Sequence, residues 1–179
     1  MVEISYSKLS SNIKANSGLV KLENYLDKTI TIVTVILYLG LLFYSFFFEK
    51  NGDYTIFYRS ILIPGVSFIV VSIFRKIVSA PRPYEVYGFT PVISKDTVGK
   101  SFPSRHVFSI FMVAMTYLQV SISGAVILFF MGIVLAFLRV CGGVHFLKDV
   151  IAGAIIGIVC GILGYYVIGD VLNLCTFVI

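Results

Sequence analysis

From Thr29 onward the chain is a succession of long apolar runs, about Thr29–Phe48, Ile56–Val78, Ser104–Val120, Gly124–Val140 and His145–Ile168. Runs of about 20 residues match the roughly 30 Å apolar thickness of a bilayer when coiled as α-helices, which satisfy their own backbone hydrogen bonds. No soluble domain could bury so much apolar surface, since 58% of the 179 residues are hydrophobic and only 13% are charged. The expected fold is all-α, an integral membrane bundle of about five transmembrane helices forming a single domain over residues 1–179.

The polar residues divide by position. Met1–Lys28 sets Lys8, Lys14, Lys21 and Lys28 among Ile4, Leu9, Ile13, Leu19, Leu22 and Leu26, the pattern of an amphipathic segment lying at the membrane interface. It shows no cleavable signal peptide, so the first run is expected to act as its own insertion signal. The net charge of +5 comes from lysines and arginines at the ends of apolar runs, without a basic stripe interleaved with aromatics. That excludes nucleic acid as partner and points to membrane lipid or phosphate. Cys141, Cys160 and Cys175 are odd in number and sit mostly in apolar runs, which argues against a disulfide framework or a zinc site. With no acidic cluster either, no metal and no cofactor are expected.

Five alternating helices would place the end of the second run, the starts of the third and fifth, and the end of the fourth on one membrane face. Those are the places occupied by Arg75, Lys76, Arg82, Ser104, Arg105, His106, Arg139, His145 and Asp149. The one long connection, Ser79–Pro103, lies on the same face, as functional loops often do. The opposite face has the Glu49–Asp53 turn. Guanidinium forks match phosphate oxygens, and helix starts at Ser104 and near His145 would present backbone N–H groups to the same anion. Ser104 is an N-cap candidate. His145 and Asp149 are four apart, so a carboxylate would hold and polarise that imidazole. One neutral histidine attacking phosphorus while the other, protonated, serves the departing oxygen describes phosphoryl transfer without a metal ion.

These residues resemble the signatures of the type 2 phosphatidic acid phosphatase superfamily of membrane lipid phosphatases, K-x6-R-P, P-S-G-H and S-R-x5-H-x3-D. Arg75–Pro83, RKIVSAPRP, matches the first with arginine in the lysine position. Pro103-Ser104-Arg105-His106 matches the second with Arg105 for glycine, and Arg139–Asp149 matches the third with Leu138 in place of the preceding serine. The resemblance covers about residues 56–168. It implies a phosphohistidine on His145, oriented by Asp149, with His106 as proton donor and then as the base that activates water. Arg75, Arg82, Ser104 and Arg139 would hold the phosphate, Lys76 would stand beside Arg75, and Arg105 would add a contact or narrow the pocket. A chain of this size resembles the bacterial members, including undecaprenyl-diphosphatases and phosphatidylglycerophosphatases. Undecaprenyl diphosphate is the favoured substrate, followed by phosphatidic acid or phosphatidylglycerophosphate. The alternative is a catalytically degenerate relative that binds or moves anionic lipid. Bacterial members usually face outward, so the site is expected on the extracytoplasmic side of the cell membrane.

Overall fold

The computed structural model describes residues 2–48, 54–93 and 98–168, with side chains from residue 6 onward. The Glu49–Asp53 turn and Cys175 lie outside the described residues. The described residues form helices and no strand: α1 (Val2–Lys14), α2 (Ser17–Phe47), α3 (Thr55–Val78), α4 (Pro83–Tyr87), α5 (Arg105–Tyr117), α6 (Ile122–Cys141) and α7 (Leu147–Ile162). The last turns of α7 continue in wider π geometry over Leu163–Ile168. Four helices, α2, α3, α6 and α7 with its extension, are long and apolar enough to cross a membrane. Their outward faces carry aliphatic side chains that remain more than half exposed, such as Val35, Ile36, Ile69, Val126, Ile133 and Ile155. Lipid, rather than water, is the solvent that suits such a surface. The protein is an integral membrane protein.

The third apolar run takes a different part. It yields the 13-residue α5, about 20 Å long, which is buried along nearly its whole length. Val107, Phe108 and Ile110 to Met115 have at most 8% exposure. The other helices surround it. Ile30 of α2, Leu128 and Leu135 of α6 and Val150 of α7 join Val107, Ile110 and Phe111 in one apolar cluster. Val71 of α3 and Tyr165 join Phe108, Met112 and Met115 in a second.

The closest approach is between α5 and α7, and the glycine stripe of α7 makes it possible. A Cβ at Gly153 would lie 2.6 Å from the Ser104 carbonyl oxygen, and one at Gly157 would lie 2.8 Å from that of Phe108. The start of α5 is also tied to α7 by a hydrogen bond from Ser104 N–H to Asp149 O, 2.8 Å.

Two boundaries differ from the sequence reading. The first spanning helix starts at Ser17 rather than near Thr29, because Asn16 accepts from Gly18 N–H at 2.9 Å and caps it there. The interfacial portion is therefore confined to α1 and a few residues beyond. On the catalytic-face end, Tyr6 of α1 stacks on Tyr87 of α4 and meets Phe146 edge-on, while its hydroxyl accepts from Leu147 N–H at 3.2 Å. The second difference is that α7 starts at Leu147, which leaves His145 in the preceding turn.

Because the atom opposing Gly153 is backbone, it has no rotamer by which to give way. Gly153→Ala is expected to destabilise the detergent-solubilised protein by about 1–3 kcal/mol, read as a fall in Tm. Alanine at Gly40, with nothing within 4 Å of its added Cβ, is the neutral comparison.

Candidate active site

Three arginines converge where α3 and α6 end and the connection after α3 begins. Arg75, Arg82 and Arg139 are 8%, 3% and 2% exposed, and buried guanidinium groups require acceptors. The chain supplies backbone carbonyls to two of them. Arg75 donates to the carbonyls of Pro103 and Lys100. Arg82 donates through Nε to Gly99 O at 3.1 Å and through Nη1 to Val144 O at 2.9 Å. The segment 98–103 is bent around these groups with positive φ at Gly99 and Lys100. Glu85 fixes its start by accepting from Gly99 N–H at 2.8 Å. Each guanidinium carries more N–H donors than these contacts use. Burial lowers the pKa of Arg82, against the upward pull of Tyr84, Glu85 and Asp149, yet it stays a cation at any physiological pH.

Arg139 has a different partner, one that the sequence reading missed. Its Nη2 donates to Asp27 Oδ2 at 3.0 Å, and its Nε lies 2.7 Å from Oδ1 of the same carboxylate. Asp27 belongs to α2 and Glu23 stands one turn before it, both buried. Lysine-rich surroundings in Met1–Lys28 masked them, since charged residues near a span end ordinarily read as interface anchors.

His145 is 1% exposed and Asp149 is fully buried. The imidazole Nδ1 and Asp149 Oδ2 are 3.6 Å apart, beyond hydrogen-bond length. Ser101 closes the gap. Its hydroxyl donates to Asp149 Oδ2 and lies 3.4 Å from His145 Nδ1. With its proton committed to the carboxylate, the Ser101 oxygen is left as an acceptor, which favours the tautomer with hydrogen on Nδ1 and a bare lone pair on Nε2. Asp149 also accepts from Phe146 N–H at 2.9 Å at the start of α7. His145 and Asp149 thus pair four residues apart, across the turn into α7 instead of along a regular helix face, and Ser101 lies against both. In sequence Ser101 was one polar loop residue among many, and nothing in its spacing marked it.

Burial pushes the His145 imidazole down to about 4, against the neighbouring Asp149 carboxylate and with the help of Arg82 and Arg139. It is neutral at neutral pH.

Ser104 was expected to cap α5, but its side chain makes no cap hydrogen bond. Its hydroxyl is fully buried and has no hydrogen-bond partner. His106, half-buried at the second position of α5, lines a cavity of about 270 Å³ with Arg105, Thr31, Thr34, Phe68 and Ser109. Arg105 is exposed and its guanidinium lies 5.5 Å from the centre of the Phe68 ring, while its charge still repels Arg82. Lys76 is exposed on α3 and does not join the arginines. Leu138 packs into the apolar cluster with Ile30 and Leu135, so its side chain serves the core.

Residues 54–172 match the PAP2 superfamily. The chain belongs to that superfamily. Two solved structures share the PAP2 fold with it. LpxE of Aquifex aeolicus is 26% identical with a TM-score of 0.62, over 84% of this chain and 94% of that one. The first transmembrane PAP2 type phosphatidylglycerolphosphate phosphatase from Bacillus subtilis is 19% identical with a TM-score of 0.67, over 91% and 84%. No curated protein sequence matches the chain. The protein is a PAP2-type phosphatase, and Asp27 lies outside the stretch matched to the superfamily.

Two outcomes are expected from this geometry. Ser101→Ala removes the bridge and lowers phosphatase turnover by roughly 10-fold or more, with the variant still monodisperse in detergent. The second concerns acid. The unfolded imidazole titrates near 6.5 and the folded one near 4, so between these values the unfolded state binds the proton that the native state refuses. Stability is therefore lost as pH falls through that window. Tm measured from pH 7 to 4 should fall more steeply for the native protein than for His145→Gln.

Proposed function

We propose that this phosphatase hydrolyses a lipid-linked phosphate monoester or diphosphate through a phosphohistidine on His145. The observation that carries the reading is a neutral, buried imidazole tied at Nδ1 through Ser101 to Asp149 and set among buried arginines. The unpartnered Ser104 hydroxyl supports it as a further donor to phosphate.

In the first step the Nε2 lone pair of His145 attacks phosphorus, and the bond from phosphorus to the leaving oxygen breaks. His106, protonated, gives that oxygen its proton. Arg75, Arg82 and Arg139 stabilise negative charge on the remaining phosphate oxygens, while Asp149, through Ser101, stabilises the positive charge on the substituted imidazole. In the second step neutral His106 takes a proton from water, the water oxygen attacks phosphorus, and the N–P bond breaks to release inorganic phosphate. The cycle conserves protons, because His106 recovers from water the one it gave away. Lys76, exposed on α3, has no role in it.

A lipid substrate fits a site set at one end of a membrane bundle, with His106 opening onto a cavity between α2, α3 and α5. The names of the two similar structures, a phosphatidylglycerolphosphate phosphatase among them, support the same class. Undecaprenyl diphosphate is the first choice of substrate, with phosphatidic acid and phosphatidylglycerophosphate next, and the site is assigned to the extracytoplasmic face.

The test is phosphate release by detergent-purified protein from a panel of these lipids, with and without EDTA, beside His145→Ala. Release that persists in EDTA and drops at least about 1,000-fold in His145→Ala is expected. Undiminished release by that variant would remove His145 as nucleophile. No release from any lipid by the native protein would favour an anionic-lipid binder.

A further inference from the structure

We infer that Asp27, on the first spanning helix, is a positioning residue for phosphoryl transfer, acting through Arg139. The inference rests on the phosphate-site reading above and adds to it a residue from outside the stretch that carries the superfamily match.

Arg139 is tied to the reacting centre twice. Its carbonyl accepts from His145 N–H at 3.2 Å and Val144 N–H at 3.3 Å, so the backbone of Arg139 sets the turn that carries the nucleophile. Its guanidinium is gripped on the Nε and Nη2 side by Asp27, which leaves the Nη1 side for a phosphate oxygen. A guanidinium has rotatable bonds along its stem, and an unheld one would swing among rotamers. Phosphoryl transfer depends on donors fixed where charge develops, so that little reorganisation is needed during reaction. Asp27 supplies that fixing for the third arginine, as backbone carbonyls do for Arg75 and Arg82.

Charge gives a second reason. Arg82 and Arg139 repel one another, and a 2% exposed cation without a counter-ion is strongly disfavoured at a membrane protein's interior end. A carbonyl would satisfy a donor, but only a carboxylate also offsets the charge. Around this pair α2 is packed tightly against the nucleophile turn. A Cβ at Gly142 would lie 2.9 Å from Glu23 Oε1, Gly142 O accepts from Val92 N–H at 3.0 Å, and Asn24 Nδ2 donates to Val92 O at 3.3 Å. Glu23 makes no hydrogen bond to the guanidinium, and its two oxygens are buried without hydrogen-bond partners. It shares the helix and the packing of Asp27 but not the contact, which makes it the control.

The experiment measures kcat and KM on the best lipid of the panel for Asp27→Asn, Asp27→Glu, Glu23→Gln, Arg139→Lys, the double variant Asp27→Asn/Arg139→Lys, and His145→Ala. Asp27→Asn is expected to lower kcat by on the order of 10- to 100-fold with KM changed by less than about 3-fold. Asp27→Glu, which keeps the charge, should recover most of that loss, and Glu23→Gln should match the native enzyme. In the Arg139→Lys background Asp27→Asn should add little, because the two residues act as one unit. If Asp27→Asn does not yield a monodisperse protein, Asp27→Glu and the Arg139→Lys comparison carry the test. Native kcat in Asp27→Asn, equal losses in Asp27→Asn and Glu23→Gln, or the same factor lost in both Arg139 backgrounds would overturn the inference. An inactive His145→Ala beside a fully active Asp27→Asn would sink only this assignment. An active His145→Ala would sink the phosphate-site reading beneath it.

Discussion

Everything at the catalytic end follows from holding three guanidinium groups out of water. An arginine in such a place must find acceptors or pull water in with it, and this chain finds them in two different ways. Arg75 and Arg82 divide the carbonyls of the segment 98–103 and of Val144 between them. Arg139 takes a carboxylate from another helix. The segment 98–103 is arranged around these cations, and its left-handed residues Gly99 and Lys100 are where the chain bends enough to aim consecutive carbonyls inward. An open loop would have no reason to adopt that path.

Much of this was legible in the sequence. The apolar runs marked the bundle, and their alternation placed Arg75, Arg82, Arg139, His145 and Asp149 at one end. Signature spacings reported which cations belonged together, because a fixed number of residues between an arginine and a histidine is a fixed geometry once helices and turns are in place. Other features were not legible, for physical reasons. The shortness of α5 could not be read from hydropathy, since a helix buried on all sides and a helix in lipid are equally apolar. Ser101 acts at a distance set by the fold of a 25-residue connection, and spacing carries no information across such a path. Asp27 was hidden by its neighbours, because a carboxylate among lysines near a span boundary looks solvated until the facing arginine is seen.

Ser101, lying against both His145 and Asp149, bears on how the imidazole is tuned. Asp149 pulls the imidazole toward its charged form, while the Ser101 hydroxyl shared with it fixes the ring's orientation. Desolvation dominates against the pull of Asp149, with smaller help from Arg82 and Arg139, and the ring is held neutral. A neutral ring keeps its Nε2 lone pair available, and the carboxylate remains close enough to matter once the ring becomes positive. In the proposed phosphohistidine route the neutral and charged rings would meet the same groups but draw on them unequally, which is the condition for selective stabilisation of the later state.

The unequal lengths of α5 and α6 also set a depth. The two are joined by a short turn at the far side of the membrane, and α6 runs 20 residues where α5 runs 13. At about 1.5 Å per residue, Ser104 stops roughly 10 Å short of the level that Cys141 reaches. The beginning of α7, bonded to Ser104 through Asp149, is sunk to the same level. The histidine turn, held by Arg139 O on one side and leading to Asp149 on the other, therefore lies below the end of α6. Under the proposed function, a phosphate bound at that depth would exchange its hydration shell for fixed protein dipoles. Each charge on it would be felt more strongly there than at the bilayer surface, and water would become a reactant admitted in small number instead of the medium.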